Sequence, residues 1–339
     1  MKSFTSSLIT TALLLLVFAG FADAATRDEI LKRDYLLCGV STGIPGFSSA
    51  DSKGNWSGFD VEICRAVAVA TLGDASKVKF VPVTAKERFT ALQSGDVDVL
   101  SRNSTWTLTR DTSLGLDFTG ISYYGDQGFM VSKSLGVTKA LSLDGAAICV
   151  QSGTTTELNL ADFFKQNHMT YKPIIFDTSN QTVKGFESGR CNVLSSDRAQ
   201  LLALRSTFAH PEDAIILPEI ISKEPQGPVV RQGDDAWFNI VRWALYAMIN
   251  GEELGLTSEN IESLKGSDNP AIQRFIGLAG IKGEGLGIAD DWAYQIIRQV
   301  GNYGEVFERT VGSNSPFKIR RGLNGLWTDG GLQYAPPIR

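Results

Sequence analysis

The sequence predicts an α/β protein of two lobes, each a mostly parallel sheet flanked by helices, joined by two crossover hinge strands. Two stretches lying 94 positions apart, Leu92-Gln-Ser-Gly-Asp-Val-Asp-Val-Leu-Ser101 and Phe186-Glu-Ser-Gly-Arg-Cys-Asn-Val-Leu-Ser195, read almost alike. In each, Ser-Gly closes a helix, and Gly95 and Gly189 stand where a left-handed C-terminal cap is needed. A short apolar strand and then polar residues follow both times. Around each stretch strands alternate with helices, which argues for parallel pairing. Residues 121–128 and 218–228 break that alternation as two extended, Gly- and Pro-containing segments, as chain passing between lobes would. Ligands of open α/β sheets sit beyond the C-terminal ends of strands. Two such units therefore bring polar strand ends to one shared cleft.

Taken in order, residues 27–33 form a short helix and 35–40 (Tyr-Leu-Leu-Cys-Gly-Val) a first strand. Residues 41–55 are a loop rich in Gly and Ser. Over 59–72, Phe59, Ile63, Val67 and Ala70 recur at helical spacing, the mark of an amphipathic helix. A strand at 79–83, a helix at 86–93 and a strand at 97–100 complete the first unit. The pattern restarts with a strand at 146–150. It continues through segments 155–166, 170–176, 182–188 and 191–194. Beyond the second crossover, 237–249 is an apolar-rich helix returning to the first lobe, and 252–339 holds further helices with Trp292 and Trp327. The division is residues 25–122 with 225–339 for the first lobe and 123–224 for the second.

Residues 1–24 differ from the rest. Met1-Lys2, an apolar run to Phe18 and Ala22-Asp23-Ala24 make a secretory signal peptide cleaved near Ala24. The run is shorter than the ~20 residues that span a bilayer, and no cysteine follows the cleavage site to carry a lipid. A soluble, exported mature chain is expected. Its 32 basic and 37 acidic residues are interspersed, so neither a nucleic-acid stripe nor a basic membrane-binding helix is present in the pattern. Cys38, Cys64, Cys149 and Cys191 are widely spaced and never Cys-x-x-Cys, and only His168 and His210 could assist them, which makes zinc a poor reading. Neither metal nor cofactor is expected. Four cysteines allow three pairings. Under the two-lobe reading Cys38–Cys64 and Cys149–Cys191 each stay within one lobe, whereas either alternative would staple the lobes together.

The polar strand ends carry the chemistry. After the first comes Arg102-Asn-Ser-Thr-Trp-Thr-Leu-Thr-Arg110, where Thr107 suits a helix N-cap and Thr105 faces the cleft. Arg110 offers a planar fork matched to a carboxylate. In the second lobe Gln151-Ser-Gly-Thr-Thr-Thr-Glu157 opens a helix, with Thr154 and Glu157 at capping-box spacing. Such a turn also presents N–H groups to an anion. The second strand end reads Ser195-Ser196-Asp197, and a carboxylate there can take an ammonium group. One cation, one anion and neutral donors complement a zwitterionic α-amino acid.

These residues, with Gly58-Phe-Asp-Val-Glu-Ile-Cys-Arg-Ala-Val-Ala68 and Arg88-Phe-x-Ala-Leu-x-Ser-Gly-Asp-Val-Asp-Val-Leu100, resemble the periplasmic amino-acid-binding proteins of ABC importers over roughly residues 35 to 250. The stretches at 55–60, 101–110 and 153–160 are most similar to the general L-amino-acid-binding branch. The resemblance implies the type II periplasmic-binding-protein fold and a monomer that hands its ligand to a membrane permease. It places the carboxylate-binding arginine on Arg110, its partners on Asn103 and Thr105, the second-lobe helix N-terminus on Thr154 and Thr155, and the ammonium-binding aspartate on Asp197. Departures lie at the side-chain end of the pocket. Ile44 stands where many relatives place an aromatic ring, Ala85 at an apolar lid position, and Arg102 where a small residue is usual, with Gln151 nearby. A roomier, more polar pocket follows, accepting acidic and polar side chains. Two other readings compete. A cyclohexadienyl dehydratase-like enzyme on the same fold needs a general acid or base poised in the cleft, a role for which only Asp197 stands out. A receptor's sensor module needs a membrane span.

Overall fold

A computed structural model describes residues 25–280 and 283–339. The export signal expected at 1–24 lies outside the described residues. The described residues build two large sheets and a small two-stranded ribbon, Ser49–Ala50 with Trp56–Ser57. In the first, Val78–Val83, Leu36–Ser41 and Val99–Leu100 pair in parallel, and Val229–Arg231 and Leu116–Phe118 continue the sheet antiparallel. In the second, Tyr171–Phe176, Ala146–Gln151 and Val193–Asp197 are parallel, then Tyr123–Ser132 and Ala214–Ile216 join antiparallel. The sheets are thus mixed rather than mostly parallel. The reason lies in the crossovers. Chain arriving from the other lobe enters each sheet at the end where its companion strands finish, so it runs against them. Tyr123–Ser132 and Ser222–Gln226 pair antiparallel with each other as the hinge ribbon.

Local signals placed most elements. Gly95 and Gly189 have φ of 82° and 73°, the left-handed conformation expected of them. Thr107 caps Leu108–Ser113 by accepting the Arg110 N–H, and Thr154 caps Thr155–Gln166 by accepting the Glu157 N–H. The capping box at Thr154 stays half closed, because Glu157 accepts from the N–H of Gly153 instead.

The helix Phe59–Leu72 departs from its amphipathic reading, for nearly all of its residues are buried. Its outer face is covered by the C-terminal extension, whose helices Trp292–Gln299 and Tyr303–Thr310 pack on it beside Asp235–Glu253. Even its acidic residue Glu62 is covered, paired with Arg65 and, at 2.8 Å, with Arg309 of the extension. A polar residue in the pattern was thus answered by a partner some 247 positions on.

Cys38 is bonded to Cys64 and Cys149 to Cys191. Each bridge closes a loop inside one sheet's lobe, of 26 and 42 residues, and loops of that size confer roughly 3–4 kcal/mol by restricting the unfolded chain. Replacing both cysteines of one bridge by Ser should lower unfolding stability by about 2–4 kcal/mol in a denaturant titration. Ligand preference should be unchanged, since neither bridge crosses the cleft.

Candidate ligand-binding site

The cleft between the two sheets' strand ends is closed around a small cavity. Gly153 shows how tightly: a Cβ there would lie 3.0 Å from Cα of Lys86, across the cleft. Of the residues singled out in the sequence, Ile44, Arg102, Asn103, Thr105, Gln151, Thr154, Thr155 and Asp197 line the cavity. Ala85 is buried but does not line it.

Asp197 begins the helix Arg198–Arg205, yet its side chain makes no cap. It is buried and turned toward the cleft, where Gln200 and Gln226 both donate to Oδ2, at 2.6 and 2.8 Å. That arrangement leaves Oδ1 for the cavity. Burial first, and then the neighbouring Glu224 charge, push this carboxyl up to about 8. A positive charge placed beside it would favour the carboxylate again.

Arg110 is buried rather than solvated. Its guanidinium lies 5.1 Å from the centroid of the Phe89 ring and donates to the carbonyl of Thr105 at 2.9 Å. It stands one layer behind the cavity wall. Arg88 comes forward beside it, a residue the sequence reading passed over as part of a helix. Arg88 is 2% exposed, its Nε has no partner, and burial with the nearby Arg102 and Arg110 charges holds it well below its ordinary pKa. Arg102 donates through Nε to the carbonyl of Val83 at 2.9 Å while its buried Nη2 is unpartnered. Burial draws Arg102 down to about 10, and Asp60 pulls the other way. Asn103, in a left-handed conformation with φ of 44°, keeps both side-chain polar atoms buried and unpartnered. Buried polar atoms without partners are costly, so these donors and the Asn103 Oδ1 acceptor mark the cavity wall as a surface made for polar contacts.

Glu224 is the second residue that went unread. It lies on the hinge strand Ser222–Gln226, 1% exposed, and four groups donate to its carboxylate. Thr105 and Thr155 donate to Oε2 at 2.6 and 2.7 Å, and Asn159 and Ser222 to Oε1 at 2.7 and 2.6 Å. A hydroxyl has one proton to give. With theirs spent on Glu224, Thr105 and Thr155 face the cavity as acceptors. The expected balance of one cation and one anion is likewise corrected. Three guanidiniums (Arg88, Arg102, Arg110) stand with three carboxylates (Asp60, Asp197, Glu224). The hinge strand carried a legible signal. Ser222, Glu224 and Gln226 alternate, so all three point to one face of the strand. A buried crossover with a wholly polar face must look onto a polar site.

A narrow cleft with paired ionic ends and unpartnered donors fits a small charged solute, and comparison with known proteins agrees. Residues 36–260 match the bacterial extracellular solute-binding proteins, family 3. The chain belongs to this family. It is similar to the general L-amino acid-binding periplasmic protein AapJ of Rhizobium johnstonii, with 54% identity over all of both chains. The glutamate/glutamine/aspartate/asparagine-binding protein BztA of Rhodobacter capsulatus is 51% identical over 98% of this chain and 99% of its own. Among solved structures, an ABC transporter periplasmic binding protein from Brucella ovis with glutathione bound is 54% identical. It superposes with a TM-score of 0.91 over 93% of this chain and all of its own. The two named relatives are amino-acid-binding proteins, and the Brucella protein is an ABC transporter's binding protein that shares the two-lobed scaffold described above.

Proposed function

We propose that this protein captures L-amino acids, acidic and polar ones included, in the cleft and delivers them to the membrane permease of an ABC importer. Asp197 carries the reading. A buried carboxyl that is no helix cap, held by two amides on one oxygen and lifted in pKa, is built to receive an ammonium group. Thr105 and Thr155 add acceptors on the same side. The ligand's α-carboxylate is assigned to Asn103, with Arg110 behind Thr105 beside it, which leaves Arg88 and Arg102 for the ligand side chain. In this reading the chain is exported on residues 1–24, cleaved near Ala24, and works as a monomer in the periplasm. The lobes are residues 25–122 with 225–339, and 123–224. They close about the two crossovers.

Breadth and a taste for acids follow from the unspent donors. Ile44 is the apolar side chain on the cavity wall, while Arg88 and Arg102 present two buried cations with N–H groups to spare. The four amino acids in the name of BztA, and the peptide bound by the Brucella protein, are ligands of that polar and acidic kind. Titration of Arg88→Met and Arg102→Ser with glutamate, aspartate and alanine tests this. Glutamate and aspartate should lose about 30-fold or more, since truncation leaves a buried ligand charge unpaired, and alanine less than about threefold. Equal loss for every ligand would remove both arginines from side-chain recognition.

The dehydratase alternative gains little support from the site. Glu224 has the position of a cleft acid, but four donors saturate it as a carboxylate. Incubation with prephenate or arogenate is expected to leave both unchanged.

A further inference from the structure

The C-terminal extension lies largely beyond the family match, which ends at residue 260, and three of its buried polar side chains converge on one short piece of hinge backbone. Tyr303 donates from its hydroxyl to the carbonyl of Ser122 at 2.8 Å, and Gln333 donates to the same oxygen at 3.3 Å. Asn324 meets the next peptide units. Its Oδ1 accepts the N–H of Tyr124 at 2.7 Å, and its Nδ2 donates to the Tyr124 carbonyl at 3.2 Å. Tyr303, Asn324 and Gln333 are 0%, 3% and 1% exposed. Tyr124 is opposite Pro225 in the hinge ribbon. Both of its main-chain groups point away from that partner, and the carboxamide of Asn324 takes them as a neighbouring strand's peptide would. The side chains are tied in turn. Gln333 donates to the hydroxyl of Tyr303 at 3.0 Å, and the Tyr303 ring packs edge-on to Phe59, 5.7 Å between centroids.

We infer that Asn324, supported by Tyr303 and Gln333, is a positioning residue that fixes the start of the first crossover to the first lobe. This rests on the binding-protein reading, in which the crossovers are hinges. Fixed through Tyr124, the crossover can bend only at the following Gly125-Asp126-Gln127-Gly128. There the extension's segment 318–324 faces Arg198 and Leu202 of the second lobe across an open groove. The extension thereby places the pivot at the two glycines and holds Gln226 and Glu224, on the paired strand, in line with Asp197 and Thr105. Binding then depends on a residue that touches no ligand, through the fraction of molecules whose hinge is set for closure.

The test uses Asn324→Leu, which leaves both Tyr124 groups unpaired, and Asn324→Asp, which keeps only the acceptor for the Tyr124 N–H. Amide exchange of the unliganded protein over residues 121–128 should quicken in Asn324→Leu and less in Asn324→Asp. Dissociation constants for alanine and glutamate, measured well below the melting temperature, should rise together by about tenfold in Asn324→Leu. A merely structural role would lower the melting temperature and leave hinge exchange and affinity at 25 °C alone, and that result would overturn the inference. If Asn324→Leu does not fold, Gln333→Met removes one of the two donors to Ser122, and unchanged exchange over 121–128 in it overturns the inference equally. A parent protein that binds no amino acid would sink the transport reading, while hinge exchange would still report on the brace.

Discussion

Asp197→Ala should bind every amino acid about 30-fold to several thousand-fold more weakly than the parent, a loss of roughly 2–5 kcal/mol. The loss should be uniform across ligands, because the α-ammonium is common to all. That uniformity separates it from the arginine variants, whose effect depends on the side chain. The same carboxyl also makes binding pH-dependent. With the cleft shut, burial pushes it up to about 8, against an ordinary value of 3.8. The folded state therefore holds a proton there that the unfolded chain has lost. Its contribution to stability is fully present below about pH 4 and is lost as pH rises to about 8. A bound ammonium favours the carboxylate and reverses that shift. Binding between about pH 5 and 7 should consequently release close to one proton from Asp197, and the gain in melting temperature on adding ligand should grow toward pH 8. Calorimetry in buffers of different ionisation enthalpy measures the release directly. Asp60, pushed up to about 7 by burial, titrates in the same window, so Asp197→Asn is the needed control. Release that persists in Asp197→Asn, or ligand affinities in Asp197→Ala within threefold of the parent, would refute the assignment.

What the sequence revealed, and what it hid, divides along the distance over which the physics acts. Gly95, Gly189, Thr107 and Thr154 obey rules confined to four or five residues, and each stands where those rules put it. The two disulfides followed once the lobes were distinguished. The buried face of Phe59–Leu72 could not be read locally, since its cover comes from residues beyond 290. Asp197 was legible because a strand end is a place with a known use. Arg88 was not. It opens a helix amid Lys86 and Glu87, and nothing in that neighbourhood distinguishes a side chain sunk in the cleft from one in water. Glu224 lay between, marked by alternation on a crossover strand that composition alone describes as polar loop.

Glu224→Gln should weaken all amino acids by about 10-fold to 100-fold, the value of a charge-assisted hydrogen bond of about 1.5–3 kcal/mol. Glu224 sits on the hinge, Thr105 on the first lobe, and Thr155 with Asn159 on the second, so its carboxylate joins all three only when the cleft is shut. All four partners donate. A glutamine presents an amide NH2 to two of them, whichever way it turns. Turned toward Oε1's partners, it opposes the Nδ2 of Asn159 and obliges Ser222 to reverse. Turned toward Oε2's partners, it converts the two threonine hydroxyls from acceptors into donors on the side where an ammonium must sit. Either way closure is opposed, while the open protein, in which the lobes part and water reaches the site, tolerates glutamine well. The melting temperature of the unliganded protein should therefore move little, as affinity falls and small-angle scattering shows a larger radius of gyration at subsaturating ligand. Glu224→Ala should be worse on both counts, since it strands four buried donors. An affinity within twofold of the parent in Glu224→Gln, with unchanged scattering, would show that the carboxylate is structural packing and takes no part in closing the cleft.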